Sequence, residues 1–151
     1  MIKDYQKGTL PMLSFISHSP LETEAIGAEL SQKLRGGDVL AFRGGLGAGK
    51  TTFTRGLARG LGAETEVSSP TFALVHEYDS APPLYHFDMY RIDTLDDLYS
   101  TGFFDYLESG GILAIEWSEN IDGALPEDTI FVTISQTGPD SRTIAVEGGR
   151  F

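Results

Sequence analysis

Gly44-Gly45-Leu46-Gly47-Ala48-Gly49-Lys50-Thr51 follows the apolar run Val39-Leu40-Ala41-Phe42, with only Arg43 between. It leads into Thr52-Phe53-Thr54-Arg55-Gly56-Leu57-Ala58-Arg59-Gly60-Leu61, where Phe53, Leu57 and Leu61 recur at helical spacing. The octet meets the pattern G-x-x-x-x-G-K-[ST] at every fixed position, in the strand, loop and helix context that the pattern requires. Glycines let the backbone wrap a polyphosphate with its N–H groups turned inward, and Lys50 adds a point charge for the β- and γ-phosphates. The Thr51 hydroxyl is placed to hold Mg²⁺. The stretch therefore predicts an α/β fold of the P-loop nucleotide-binding type, a mixed central β-sheet flanked by helices.

Composition narrows the classes around that reading. The chain has 151 residues, 40% of them hydrophobic, which suits one domain with its own core. Cysteine is absent, so neither a disulfide framework nor a thiolate nucleophile enters the chemistry. No apolar run approaches the roughly 18 residues of a membrane span, and the N-terminus lacks a signal-peptide apolar region. A cytoplasmic location without membrane partners is the expectation. The formal net charge of −11 argues against autonomous nucleic-acid binding, which rests on Lys and Arg contacts to phosphate. An acidic face able to dock on a basic partner is compatible with it, as is simple solubility.

Outward from the loop, the first twelve residues read as a loose leader, and residues 13–151 as the nucleotide-binding domain. Leu13 to Ile16 resembles an edge strand. Ser19-Pro20-Leu21-Glu22 has the makings of a helix start, with Ser19 as N-cap, Pro20 at the first position and Glu22 at the capping-box position. Leu21, Ala25, Ile26, Leu30 and Leu34 are the expected core face of that helix, which Gly36-Gly37 should stop. Val67 to Thr71 reads as a loop. Phe72 to Tyr78 and Leu84 to Asp88 read as strands joined through Asp79 to Pro83. Asp93 to Leu107 holds two short helical patterns broken near Gly102. Ile112 to Trp117 reads as a buried strand ending in a carboxylate, and Thr129 to Ile134 with Thr143 to Glu147 read as a closing pair around Gly138-Pro139-Asp140.

Two further constellations bear on chemistry. Ile112-Leu113-Ala114-Ile115 drives a strand through a sheet interior and leaves Glu116 at its C-terminal edge, where open α/β sheets bind nucleotides. That acid resembles a Walker B residue, suited to Mg²⁺ or to polarising the attacking water. In His86-Phe87-Asp88-Met89-Tyr90-Arg91, strand alternation sends His86 and Asp88 to one face. Asp88 could orient water, act as a weak base or complete the metal shell, and Arg91 could pair with phosphate or with Asp88. Tyr90 reads as a packing residue. Ser68 and Thr71, around Pro70, offer hydroxyls that could follow the γ-phosphate as a switch does.

Taken together, the glycine loop through Thr52, Ser69-Pro70-Thr71-Phe72, His86 to Arg91 and Ile115-Glu116-Trp117 resemble, in this order, the TsaE family of small bacterial proteins. The resemblance runs from about Thr23 to Arg142. It implies a P-loop ATPase needed to make N6-threonylcarbamoyladenosine in tRNA, with ATP hydrolysis supporting turnover of a TsaB–TsaD complex in which TsaD performs the transfer. On that resemblance Gly45, Leu46, Gly47, Ala48, Gly49, Lys50, Thr51 and Thr52 cradle the phosphates. Thr51 and Glu116 hold Mg²⁺, Lys50, Asp88 and Glu116 are catalytic, and Thr23 and Arg142 lie on the base side. Ser69, Pro70, Thr71 and Phe72 resemble a first switch; His86, Tyr90 and Arg91 resemble a second, with Trp117 reporting or gating the site. Contact with tRNA is implied only through the complex. The motif alone also admits a small-molecule kinase or a nucleotide-gated binding module, although the seven arginines are scattered rather than clustered as a lid.

Overall fold

Over residues 2–3, 12–45, 48–64, 66–68, 75–149 and 151, which the computed structural model describes, strands and helices alternate around the glycine loop. In chain order they are β1 (Ile2–Lys3), β2 (Met12–Ser17), α1 (Pro20–Ser31), β3 (Val39–Arg43), α2 (Lys50–Gly60), β4 (Glu66–Ser68) and β5 (Val75–Tyr78). There follow β6 (Leu84–Asp88), α3 (Leu95–Ser100), α4 (Phe103–Leu107), β7 (Ile112–Glu116), a 3-10 segment over Ser118–Ala124, β8 (Ile130–Gln136) and β9 (Arg142–Gly148). The described strands form one sheet in the order β1-β2-β9-β8-β3-β7-β6-β5-β4. Its centre, β8-β3-β7-β6, is parallel; β9, β2 and β1 on one flank and β5 and β4 on the other run antiparallel to their inner neighbours. The fold is thus α/β with a mixed sheet.

β3 and β7 at the centre are apolar up to their last residue because both sheet faces are covered. Val39, Leu40, Ala41 and Phe42 are all buried, and alternation divides them between two cores. Leu40, Phe42, Leu84, Ile112 and Ala114 pack with Leu30, Phe53 and Leu57 of α1 and α2. Val39, Phe87, Leu113 and Ile115 pack on the other face with Leu98 of α3, Phe103 of α4 and Ile121. This parity puts His86 and Asp88 on the same sheet face as Leu84, and Glu116 on the same face as Ile112 and Ala114. All three carboxyl and imidazole groups therefore share the side occupied by α2.

Helix α1 starts as expected. The Ser19 side chain accepts from the Glu22 N–H, while the Glu22 carboxylate accepts from the His18 N–H at 2.9 Å, one residue before the usual capping-box partner. Its inner face differs from the expected one. Ile26 and Leu30 are buried, but Ala25 is exposed and Leu21 is 74% exposed; the buried positions include Thr23, Gly27 and Ser31. The reason is close helix packing: a Cβ on Gly27 would stand 2.4 Å from the Phe53 carbonyl oxygen, and one on Gly56 only 2.0 Å from that of Glu24. Small and hydroxyl side chains let α1 and α2 meet backbone to backbone, so apolar spacing misassigns the face.

Three other expectations need correcting. The leader is not wholly loose, since Ile2 and Lys3 pair with Leu13 and Met12. Helix α1 ends at Ser31, before the Gly36-Gly37 stop. The stretch taken as a loop from Val67 includes strand residues, because Glu66–Ser68 pairs with Tyr78, Glu77 and His76. The helical break at Gly102 is present as expected: it is the N-cap of α4 with φ 79°, a left-handed conformation suited to glycine. Among the described residues no helix is long and apolar enough to cross a membrane.

Candidate nucleotide site

Four parallel strands deliver their C-terminal ends to one edge. β3 runs out into the glycine loop, Asp88 at the end of β6 stands in register with Glu116 at the end of β7, and β8 ends at Gln136. The antiparallel flank brings its own residues to this edge, since Gln136 pairs with Arg142 and Arg142 pairs with Ser17. In open α/β sheets ligands occupy this edge, outside the carboxyl ends of the strands.

The loop shows why its glycines are required. Gly44 has φ 135°, and a Cβ there would sit 2.2 Å from the Ile134 carbonyl oxygen. Gly49 has φ 107° and is the N-cap of α2, with no side chain to bond the helix's first amides. Those N–H groups and the positive end of the helix dipole therefore face outward, an arrangement that favours phosphate. Lys50 is 8% exposed and its Nζ donates to the Gly44 carbonyl at 3.2 Å, so the ammonium is held across the loop mouth. Thr51 is exposed on the first turn of α2, and Thr52 is half-buried. Gly45 and Ala48 close a turn through an Ala48 N–H to Gly45 carbonyl bond of 3.2 Å. Leu46 and Gly47 lie outside the described residues.

Beside the loop, His86 Nε2 lies 2.6 Å from Glu116 Oε2, with side-chain exposures of 9% and 16%. Burial pushes the Glu116 carboxyl up, but the His86 hydrogen bond and the fields of His86, Lys50 and His76 outweigh it and hold the group below the usual carboxylate range. Since an ionised carboxylate only accepts, Nε2 carries the proton. The His76 ring stands 5.9 Å from that of His86 across β5 and β6. Asp88 is half-buried and its Oδ1 accepts from the Tyr90 N–H at 3.0 Å, turning the chain out of the strand.

Trp117 is, among the described residues, the non-glycine with positive φ (59°). Its indole packs edge-on against Tyr90 at 5.0 Å and lies 5.8 Å below Lys50 Nζ. Tyr90 is thus a packing partner of Trp117 with more than half its surface exposed, while Arg91 is exposed and makes no ion pair, with Asp88 or otherwise, among the described residues. Two supports escaped the sequence. Asn120 donates from Nδ2 to the Met89 carbonyl at 2.9 Å, tying the 3-10 segment to the end of β6, and Ser118 Oγ donates to the Phe42 carbonyl at 3.3 Å. Neither position has a local pattern that would single it out.

At the other side of the loop a cleft is lined by Pro20, Thr23, Gly49, Thr52, Pro139, Asp140 and Arg142. Thr23 is buried and its hydroxyl shares a 2.7 Å hydrogen bond with Ser17. Arg142 donates from Nε to the Ala48 carbonyl at 3.0 Å, which braces the glycine loop. The residues assigned to the base side therefore do meet in one recess next to Gly49 and Thr52. Ser69, Pro70, Thr71 and Phe72 lie outside the described residues.

Comparison with known proteins agrees with this geometry. The family described as "Threonylcarbamoyl adenosine biosynthesis protein TsaE" matches residues 17–144. The tRNA threonylcarbamoyladenosine biosynthesis protein TsaE of Bacillus subtilis is 39% identical over 145 residues, covering 94% of this chain and 90% of the relative. Its Treponema pallidum counterpart is 37% identical over 131 residues, covering 87% and 97%. A crystal structure of Bacillus subtilis YdiB superposes with a TM-score of 0.76 at 35% identity, covering 95% of this chain and 89% of that one. With its glycine loop, its paired acids at one strand edge and these relatives, the chain belongs to the TsaE family.

Proposed function

We propose that this protein binds and hydrolyses MgATP, and that hydrolysis supports turnover of the TsaB–TsaD complex during synthesis of N6-threonylcarbamoyladenosine in tRNA. The observation that supports hydrolysis best is the register of Asp88 with Glu116 on the face shared with the amino end of α2 and Lys50. The names of the Bacillus subtilis and Treponema pallidum relatives support the pathway.

The donor set suits Mg²⁺ held jointly with a nucleotide. Among the described residues no group of three or more His, Cys, Asp and Glu side chains could hold a metal by itself. Mg²⁺ at phosphate sites typically takes one or two protein oxygens and completes its shell with phosphate and water. The Thr51 hydroxyl, which makes no hydrogen bond among the described residues, and the ionised Glu116 would hold it. Bound there, the ion neutralises charge on the β- and γ-phosphates.

The side chains then divide the work. The free amides at the start of α2 and Lys50 stabilise negative charge on the transferred phosphoryl group. His86 keeps Glu116 ionised and fixed in orientation. Asp88, at the adjoining strand end, orients a water for in-line attack. Arg142 is engaged with the loop backbone and Arg43 lies over the Phe131 ring at 4.2 Å, which leaves slow hydrolysis as the expected behaviour of the chain alone.

Reconstitution tests this reading. With TsaB, TsaD, tRNA, ATP and threonylcarbamoyl-adenylate, adding the wild-type chain should convert a single round of modification into repeated turnover, and Lys50→Ala should not. Equal yields with and without the wild-type chain would refute it.

A further inference from the structure

Residues Ile92 to Ser141 contain no lysine, arginine or histidine and eleven of the chain's 22 acidic residues. The rest of the chain carries eleven acidic and eleven basic residues, so the whole formal net charge of −11 resides in this third of the sequence. Asp93, Asp96, Asp105, Glu108, Glu119 and Asp122 are all exposed, and none forms an ion pair among the described residues. Five of the eleven acids, Asp93, Asp96, Asp97, Asp105 and Glu108, lie on or directly beside α3 and α4.

The same side presents an apolar face. In α3, Leu98 is the residue that enters the core, whereas Leu95 and Tyr99, one turn apart, are each 60% exposed. The Tyr99 ring lies against that of the partly buried Phe104 in α4 at 4.8 Å, so the exposed apolar face of α3 runs on to the edge of α4. Adjacent exposed large apolar residues within a charged rim are the usual composition of a protein-docking surface.

We propose that the Leu95, Tyr99 and Phe104 ridge, with its rim of Asp93, Asp96 and Asp105, docks on a basic surface of the TsaB–TsaD complex that offers an apolar recess. This rests on the reading that the chain supports that complex, and deepens it by assigning the docking face. Charge selects the class of partner. An acidic rim repels tRNA and anionic membranes, and opposes pairing with a second copy of the same face. The position also suits control of the site, because only residues 89–94 join Asp88 to α3 and Asn120 ties the first of them to the 3-10 segment.

The test uses the full chain loaded with MgATP, titrated against purified TsaB–TsaD, with Leu95→Ser/Tyr99→Ser, Asp93→Asn/Asp96→Asn and the remote control Leu21→Ser. The apolar double variant should weaken binding by about tenfold or more, and the charge variant should weaken it and flatten its salt dependence. Leu21→Ser should bind as wild type, and all variants should keep the intrinsic hydrolysis rate and thermal midpoint. Wild-type affinity in both double variants, or equal loss in Leu21→Ser, would overturn the docking face while leaving the partner in place. Absence of wild-type binding would instead overturn the partner, and the face with it.

Discussion

His86 donates from Nε2 to Glu116 Oε2 at 2.6 Å, joining the residue two before the end of β6 to the last residue of β7. The strand pairing makes this contact diagonal: His86 stands opposite Ala114, whose methyl leaves room for the imidazole to reach the neighbouring carboxylate. The imidazole thereby sets the ionisation and direction of the acid that lies within the field of Lys50.

Replacing His86 with Ala should cost about 1.5–3 kcal/mol of stability at neutral pH, the range for a hydrogen bond to a charged group. The sign follows from linkage. Glu116 titrates lower in the folded protein, so its stabilisation is complete above the ordinary glutamate value of 4.5 and is lost as pH falls through the folded-state value. Urea midpoints measured down through the carboxylate range should show the gap between wild type and His86→Ala closing. A gap that is constant with pH would mean that the contact contributes packing alone.

Tyr106 gives an alkaline counterpart. Burial, the hydrogen bond to Glu77 at 2.8 Å and the charges of Glu77 and Tyr85 push its phenol up to about 12. A raised phenol stabilises the fold below the ordinary 10.0 and ceases to do so as pH rises toward 12. Ultraviolet titration should therefore show a late phase from Tyr106, which moves earlier in Glu77→Gln. An unchanged curve in that variant would remove the Glu77 explanation.

The α1 and α2 contact predicts a sharp difference between glycines. Gly56→Ala should destabilise by about 1–3 kcal/mol, because the new methyl has only backbone in front of it. Gly123→Ala, with nothing within 4 Å, should stay within about 0.5 kcal/mol of wild type. Similar urea midpoints for the two variants would contradict the close approach of the helices.

Trp117 is the chain's one tryptophan and lies 5.8 Å from Lys50 Nζ, so its emission reports the ammonium's position. Saturating MgATP should draw Lys50 toward phosphate and change the emission, and Lys50→Ala should abolish the response. Binding seen by calorimetry with silent fluorescence would place the indole outside the nucleotide's influence.

How much of this was legible beforehand depends on how local each signal is. Glu116, the strand Leu84–Asp88, the break at Gly102 and, over their described residues, the glycine loop and the Phe72–Tyr78 strand are written in contiguous residues and stand where expected; Phe72 to Leu74 lie outside the described residues. Leu21 and Ala25 misled because helical spacing does not say which face meets a glycine-lined neighbour. The closing pair β8 and β9 was legible from its turn, but the His86–Glu116 bond depends on the register between β6 and β7, and the Arg142–Ala48 bond on where the end of β9 meets the glycine loop; neither has a signature in sequence. Asn120 and Ser118 act through backbone carbonyls brought to them by the fold, so no neighbouring residue announces them.

Phosphate release from MgATP tests the central claim most directly, measured for the wild-type chain and for Lys50→Ala of matched thermal midpoint, each alone and with TsaB–TsaD. Slow release by the wild type, strong acceleration by the complex and none above background from Lys50→Ala are the predicted results. Equal release by wild type and Lys50→Ala, or no release by the wild type even with the complex, would contradict it.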